Sequence, residues 1–497
     1  RSNERFLHCP MCQAENKVAN GTYISSGDRI LVHKYLYSLE EPQRFDVVVF
    51  KAPEHPHTNS SKRLIGLPGQ ELLILEGNCY YNPTPGNEAG WRIARKTDPE
   101  QNRHAMKIQD TVWQPVYNSH YVPLDFGSER DATRMPNGHA IPAYTWRVPW
   151  RIWPEGDSNG WRTAASSDEL DPRGGYIYEG TGRGVIRFDF RRLWGPPGPG
   201  AFVYSQEDGA VSDLATEDIR LAADIEPKQD GLSLTLATTA RMDDPQGRMH
   251  RLALTIDPQG KVTLMRGDEA EPLGTATVSP LRGGASRHVE LWYVDQEASV
   301  WIDGDRVLVK PFELPKDVLI NRSLPGYSWG VDAGQPLPEH DAGGVMIGEL
   351  PVPRISIEVS GSPVRLHRVV VDRDLYWTYQ TSTKGTMEPS MKDFRGTIRK
   401  EPNRPIKGGP ITLDADQFFC MGDNSPKSYD SRAWETVDEW VHARAFTQEI
   451  ARRDALGIVP RRMMMGRAFF VYFPTMLGIS PDRYPMFPNF GEMRFIH

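Results

Sequence analysis

Apolar and polar residues alternate at period two along much of this chain, and stretches with helical spacing are few. Ile30, Val32 and Tyr35 mark a first strand, and Asp46-Val47-Val48-Val49-Phe50 is a continuous, mostly β-branched run, as expected of a strand covered on both faces. Residues 52–61, punctuated by Pro53 and Pro56, form a loop that delivers the chain to Lys62. The stretch from Leu72 to Asn82 reads as a hairpin turning at Glu76-Gly77-Asn78. Short strands joined by tight turns predict a mainly β fold with an antiparallel core.

From about residue 83 to 145 periodicity fades into a loop-rich insertion, and four tryptophans then gather at Trp146, Trp150, Trp153 and Trp161. Exposed, such a group stacks on sugars or anchors a partner; buried, it caps a sandwich core, the heavier of the two readings. Within 146–375 alternating strands recur at near-regular spacing, for example 184–190, 218–225, 232–236, 251–256 and 288–294, the pattern of a β-sandwich. Asp303-Gly304-Asp305 reads as a hairpin turn. Residues 376–497 begin with a polar loop, resume the strand pattern at 411–424, and show helical spacing in places between Trp434 and Leu456. Met463, Met464 and Met465 beyond it read as core filler.

With 497 residues, 39% hydrophobic and 25% charged, the chain holds enough apolar material for two to four domains. The net charge of −7 and the absence of a Lys/Arg block point away from nucleic acid and from adhesion to an anionic membrane. No apolar run approaches the ~20 residues of a membrane span. Four cysteines are too few for a disulfide framework. Cys79 and Cys420 lie in apolar strands and read as buried small hydrophobes. Within residues 1–20, Cys9 and Cys12 have the spacing of half a zinc ribbon, of a disulfide or redox pair, or of a chance turn, and His8 would add a third ligand in the first case. Structural zinc is expected only under that first reading.

The residues that carry chemistry centre on Lys62-Arg63-Leu64-Ile65-Gly66-Leu67-Pro68-Gly69, where a cation stands at the edge of an apolar run ending in a Pro-Gly turn. Burial disfavours an ammonium and frees a neutral amine to act as a general base. A solvated Lys-Arg pair at a strand end is the plainer alternative. Together with Gly27 to Tyr35, Arg44 to Lys51 and the later Met421-Gly422-Asp423-Asn424-Ser425-Pro426-Lys427-Ser428-Tyr429-Asp430-Ser431-Arg432, this octet resembles the boxes of type I signal peptidases, membrane-bound Ser/Lys endopeptidases. The resemblance covers residues 21–82 and 415–473, and it implies a strand over 459–468 that closes the core. It implies that Lys62 is the general base, that Ser428 orients the lysine amine, and that Arg63, Asp423, Asp430 and Arg432 support the site, with no cofactor needed for catalysis.

The family nucleophile lies in a Ser-Met-x-Pro-like box just before the segment matched by Gly27-Asp28, and residues 1–26 contain no such box; Ser25 and Ser26 lack its context. The expectation is that the serine and a membrane anchor precede Arg1. Thr386 in Gly385-Thr386-Met387-Glu388-Pro389 has the box's spacing, and Ser390 is a weaker alternative, but both follow the insertion. The strands 290–295 and 299–304, closed by 364–376, resemble a concanavalin- or laminin-G-like jelly roll. The implied partners are signal peptides of exported preproteins, the membrane through a missing N-terminal anchor, and a glycan or other envelope component for the sandwich. The implied location is membrane-anchored with the catalytic domain extracytoplasmic. The rival expectation is a catalytically degenerate peptidase fold that serves as a cell-envelope binding protein.

Overall fold

The computed structural model describes residues 29–75, 77–96, 175–188, 217–245, 248–313, 353–374, 410–423, 428–434, 436–445 and 456–473, with Trp150, Trp161, Trp377 and several short strands outside these stretches. Two antiparallel sheets form one unit. In the first, Arg29–His33, Met464–Phe473, Val47–Lys51, Asn59–Gly66, Gln417–Met421 and Val459–Pro460 lie side by side in that order. In the second the order is Ile411–Thr412, Glu71–Leu75, Asn78–Asn82, Arg92–Ile93. Val48, Phe50, Leu64, Ile65, Leu72, Ile74, Phe418 and Phe419 join in one buried apolar cluster, and full burial of such side chains contributes about 1.5–3 kcal/mol each. Val48, Val49 and Phe50 are all buried, as the continuous apolar run requires.

The hairpin of residues 71–82 has the predicted position, with Leu75 opposite Asn78 and Gly77 at φ 85°. In Asn59–Gly66 the outer half is exposed or half-buried and the last four residues are buried, so Lys62 is the final half-buried position before the core. This strand pairs with Gln417–Met421, Arg63 opposite Met421 and Leu64 opposite Cys420. The helical spacing read between Trp434 and Leu456 coincides with Glu439–Ala445 among the described residues, and Trp434 and Val437 ahead of it are buried outside the helix. One sequence expectation needs correction. The expected strand over 459–468 is broken by a 3-10 turn at Arg461–Met463, where Arg461 N donates to Asp416 O at 2.8 Å, before the long strand Met464–Phe473 begins. Met463 is buried, whereas Met464 and Met465 are half-buried.

The insertion is a β-sandwich. One sheet runs Trp150–Trp153, Gly184–Phe188, Ser356–Ser360, Ser233–Ala240, His250–Ile256, Lys261–Arg266, Gly274–Thr277; the other runs Trp161–Thr163, Tyr176–Tyr178, Val364–Arg373, Ile219–Pro227, Arg287–Val294, Glu297–Ile302, Asp305–Pro311. Inward residues such as Leu221, Leu234, Leu254, Leu291, Val300 and Val371 fill the space between them. Trp150 and Trp161 are buried in this core, Trp150 edge-on to Phe188 at 5.3 Å, while the side chains of Trp146 and Trp153 lie outside the described residues. Asp303 and Gly304 form the hairpin turn read from the sequence. Among the described residues no helix is long and apolar enough to cross a membrane.

One buried cation joins the two units. Lys96 follows the last strand of the second sheet, and its Nζ lies 2.7 Å from Asp295 Oδ1 and 2.6 Å from Asp374 Oδ2, with all three side chains almost fully buried. The Lys96 backbone N also donates to Asp295 Oδ2 at 2.9 Å. Asp218 lies close enough to Asp295 and Asp374 for the three carboxylates to surround an ion, but the Lys96 ammonium already sits among them. Burial, with Asp295 and Asp374 adding to it, holds the Asp218 carboxyl well above its ordinary range. Gln296 Nε2 donates to Tyr80 OH at 2.7 Å, and Arg95 Nη2 donates to Phe312 O at 2.6 Å.

Lys96→Met would leave two buried carboxylates without their cation, so its expected cost is roughly 3–5 kcal/mol. Urea unfolding of the variant should show a lowered midpoint, and adding Asp295→Asn and Asp374→Asn should recover part of the loss. An unchanged midpoint in Lys96→Met would show that the cluster does not hold the two units together.

Candidate active site

Lys62 enters the site from the strand Asn59–Gly66, opposite Val48 on one side and next to the buried Gln417–Met421 strand on the other. Its Nζ donates to Ser428 Oγ at 2.9 Å. Burial lowers the amine's pKa; Arg432 acts in the same sense, and the Asp430 and Asp423 carboxylates oppose both without reversing the shift. A larger share of the amine is therefore neutral near pH 7 than for a free lysine.

Behind Ser428 stands a chain of charge. Asp430 is fully buried, accepts from Gly422 N at 2.9 Å, and receives Arg432 Nε at 2.9 Å and Nη2 at 2.6 Å. Burial alone would raise its pKa, but the Arg432 guanidinium, the Gly422 amide and a hydrogen bond with Ser428 hold the carboxyl below its ordinary value. The Ser428 hydroxyl thus gives its proton toward Asp430 and offers a lone pair to Lys62. A carboxylate held in this way fixes the rotor of a hydroxyl that would otherwise be free to turn.

Arg63, one residue on, points to the other face of the strand. Its guanidinium grips Asp423 with Nε and Nη2, both at 2.8 Å, and Nη1 donates to Phe45 O at 2.9 Å. This fork fixes the point where the Gln417–Met421 strand ends and the Gly422-Asp423 turn begins. The structure therefore brings Lys62, Ser428, Asp430 and Arg432 into one hydrogen-bonded line and sets Arg63 with Asp423 as a separate brace beside it. Cys420 lies within the buried core behind them, its thiol pushed up by burial; Cys79 is likewise buried and pushed up to about 12. Cys9, Cys12, Ser25, Ser26, Ser425, Thr386 and Ser390 lie outside the described residues.

Sequence reasoning did not assign a role to Gly422. A Cβ there would overlap Ser428 Oγ and come within 3.4 Å of Lys62 Nζ, so only glycine lets the two side chains meet. The signal was present as the glycine of Gly422-Asp423-Asn424, but a turn explained it sufficiently.

A family model described as signal peptidase, peptidase S26, matches residues 14–130 and 356–473. Curated relatives include a probable signal peptidase I-2 of Synechocystis sp., 35% identical over 79 residues that are 13% of this chain and 36% of that protein. Signal peptidase I of Aquifex aeolicus is 51% identical over 56 residues, 11% of this chain and 21% of the relative. Signal peptidase I V of Bacillus subtilis is 34% identical over 70 residues, 14% and 40% of the two chains. The matched stretches thus span between 21% and 40% of the length of these three relatives. Among solved structures, the carbohydrate binding module CBM66 of Bacillus subtilis covers 43% of this chain and 96% of its own at 11% identity and a TM-score of 0.22. The metal-free carbohydrate recognition domain of Emp46p covers 45% and 87% at 7% identity and a TM-score of 0.25.

Asp430 supplies a pH test. Its folded pKa lies below its unfolded value, so its contribution to stability is present above about pH 4 and is lost as pH falls through the folded pKa. Urea midpoints measured from pH 7 to pH 3 should fall more steeply for the natural chain than for Asp430→Asn; parallel curves would remove Asp430 from the acid response.

Proposed function

We propose that this chain, whose two core segments are similar in sequence to the signal peptidase family, supplies the general base of a Ser/Lys endopeptidase that removes signal peptides from exported preproteins. The observation that carries the reading is the half-buried Lys62 amine hydrogen-bonded to Ser428 on the Asp430–Arg432 brace. In this reading neutral Lys62 takes the proton from a serine hydroxyl as it attacks the scissile carbonyl, and returns it to the leaving amine. Ser428 holds the amine in the orientation that both transfers need. The hydroxyl that attacks is a separate residue, as in the family pattern. The chemistry proposed at Lys62 calls for no cofactor. On this reading the protein works at a membrane with its catalytic domain extracytoplasmic, in keeping with the family it resembles.

Lys62→Met should lower preprotein cleavage by about 10²–10⁴-fold, the usual contribution of a general base. Ser428→Ala should cost less, because it removes orientation and leaves the base. For the natural protein the acid limb of the rate profile should fall at a pH below the ordinary lysine range, because the lowered Lys62 pKa exposes the neutral amine earlier. Unimpaired cleavage by Lys62→Met would sink the assignment.

A second reading, a catalytically silent core that presents the sandwich to an envelope glycan, draws on one feature of the sandwich. His288, Glu290, Arg220 and Asp372 form a linked polar row on neighbouring strands, with Arg220 Nη2 at 2.5 Å from Asp372 and His288 Nε2 at 3.2 Å from Glu290. On that reading Arg220→Ala abolishes glycan retention on an affinity column and Lys62→Met leaves retention unchanged.

A further inference from the structure

The hairpin that carries Lys62 also reaches across to the segment that carries Ser428. Its connecting loop lies between Val47–Lys51 and Asn59–Gly66, and Glu54 in that loop is buried, an unusual place for a carboxylate in a polar turn. One of its oxygens, Oε1, receives the Tyr429 hydroxyl at 2.8 Å, Thr436 N at 3.2 Å and Thr436 Oγ1 at 3.2 Å. Next to it Pro53 O accepts from Asp438 N at 3.0 Å. Asp438 in turn accepts Trp440 N at 2.9 Å through Oδ1 and caps the helix Glu439–Ala445. A single short loop therefore grips the chain at Tyr429 and again at residues 436–438.

We infer that Glu54 is a positioning residue: by holding Tyr429, the neighbour of Ser428, it fixes the Ser428 hydroxyl against the Lys62 amine and keeps water from that amine. The inference rests on the reading of Lys62 as the base. Asp430 anchors the Ser428 segment to the Gln417–Met421 strand through Gly422 N. Glu54 anchors the same segment to the hairpin of Lys62. Ser428 is thus clamped from both of the strands between which it must reach Lys62. Removing the Glu54 anchor frees one side, lets the segment swing away, and hydrates the amine, which restores an ordinary lysine pKa.

The test reads Lys62 directly in the 497-residue chain and needs no peptidase activity. The rate at which the Lys62 amine is acylated by a small activated ester is followed by peptide mass spectrometry from pH 6 to pH 11, giving the apparent pKa of this one amine. Glu54→Ala should move that pKa upward, so that at pH values below the natural pKa acylation slows about tenfold for each unit of the rise. Glu54→Gln keeps an oxygen that accepts from all three donors and should restore the natural profile. Tyr429→Phe and Thr436→Val remove one hydroxyl each and should shift the profile in the same direction by less, which keeps the test open if Glu54→Ala fails to fold.

If Glu54 acted only through its negative charge, both Glu54→Ala and Glu54→Gln would lower the Lys62 pKa, the opposite sign. If it served stability alone, unfolding midpoints would drop with the Lys62 profile unmoved. Either result overturns the inference. A shifted profile in a protein that cleaves no preprotein would uphold Glu54 as the clamp and reject the peptidase reading.

Discussion

The ammonium of Lys96 is the interaction on which the arrangement of this chain depends. About 280 residues separate Lys96 from Asp374, yet the two side chains meet, and Asp295 from a sandwich hairpin meets them both. Closing a long loop costs only logarithmically more than closing a short one, so an insertion of this size is tolerable where its ends lie together. Here they lie together around one buried charge. The core strands before residue 96 and after residue 410 can then pair as near neighbours, which is what places Lys62 beside Ser428 at a sequence separation of 366.

A buried cation of this kind is expensive unless every neighbour answers it. Lys96 has two carboxylates within 2.7 Å and lies over the rings of Phe45 and Trp377 at 5.7 and 5.4 Å. Burial lowers the Lys96 pKa and the two carboxylates more than reverse it, so the group stays charged. Lys62 is the converse. It is only half-buried, its nearest polar contact is a hydroxyl, and the neighbouring carboxylates are already committed to Arg63 and Arg432. Two lysines in one protein are driven in opposite directions by what stands next to them.

Much of this was legible from the sequence because a strand leaves its trace in the order of apolar residues, period two where one face is covered and continuous where both are. The runs at 46–50, 72–82, 218–225, 251–256 and 288–294 lie on strands whose ends differ by a few residues at most. The line from Lys62 to Arg432 was legible by resemblance, since its members crowd into two short boxes. Glu54, Lys96 and Asp295 were not: Lys96 and Asp295 are 199 residues apart, Glu54 and Tyr429 are 375 apart, and neither pair leaves a local pattern. The turn at Arg461–Met463 was hidden for a related reason, because a backbone contact to Asp416 bends a stretch whose side chains alone favour a strand.

Among the described residues, polar ties from the sandwich reach the core at Tyr80, Arg95 and Lys96, all on or just beyond the strands Asn78–Asn82 and Arg92–Ile93 of the four-stranded sheet. Lys62 belongs to the other sheet. A pull exerted on the sandwich would therefore reach the core first at Lys96, and through the Phe45 ring beneath that ammonium the load would pass to the carbonyl that holds Arg63, one residue from Lys62.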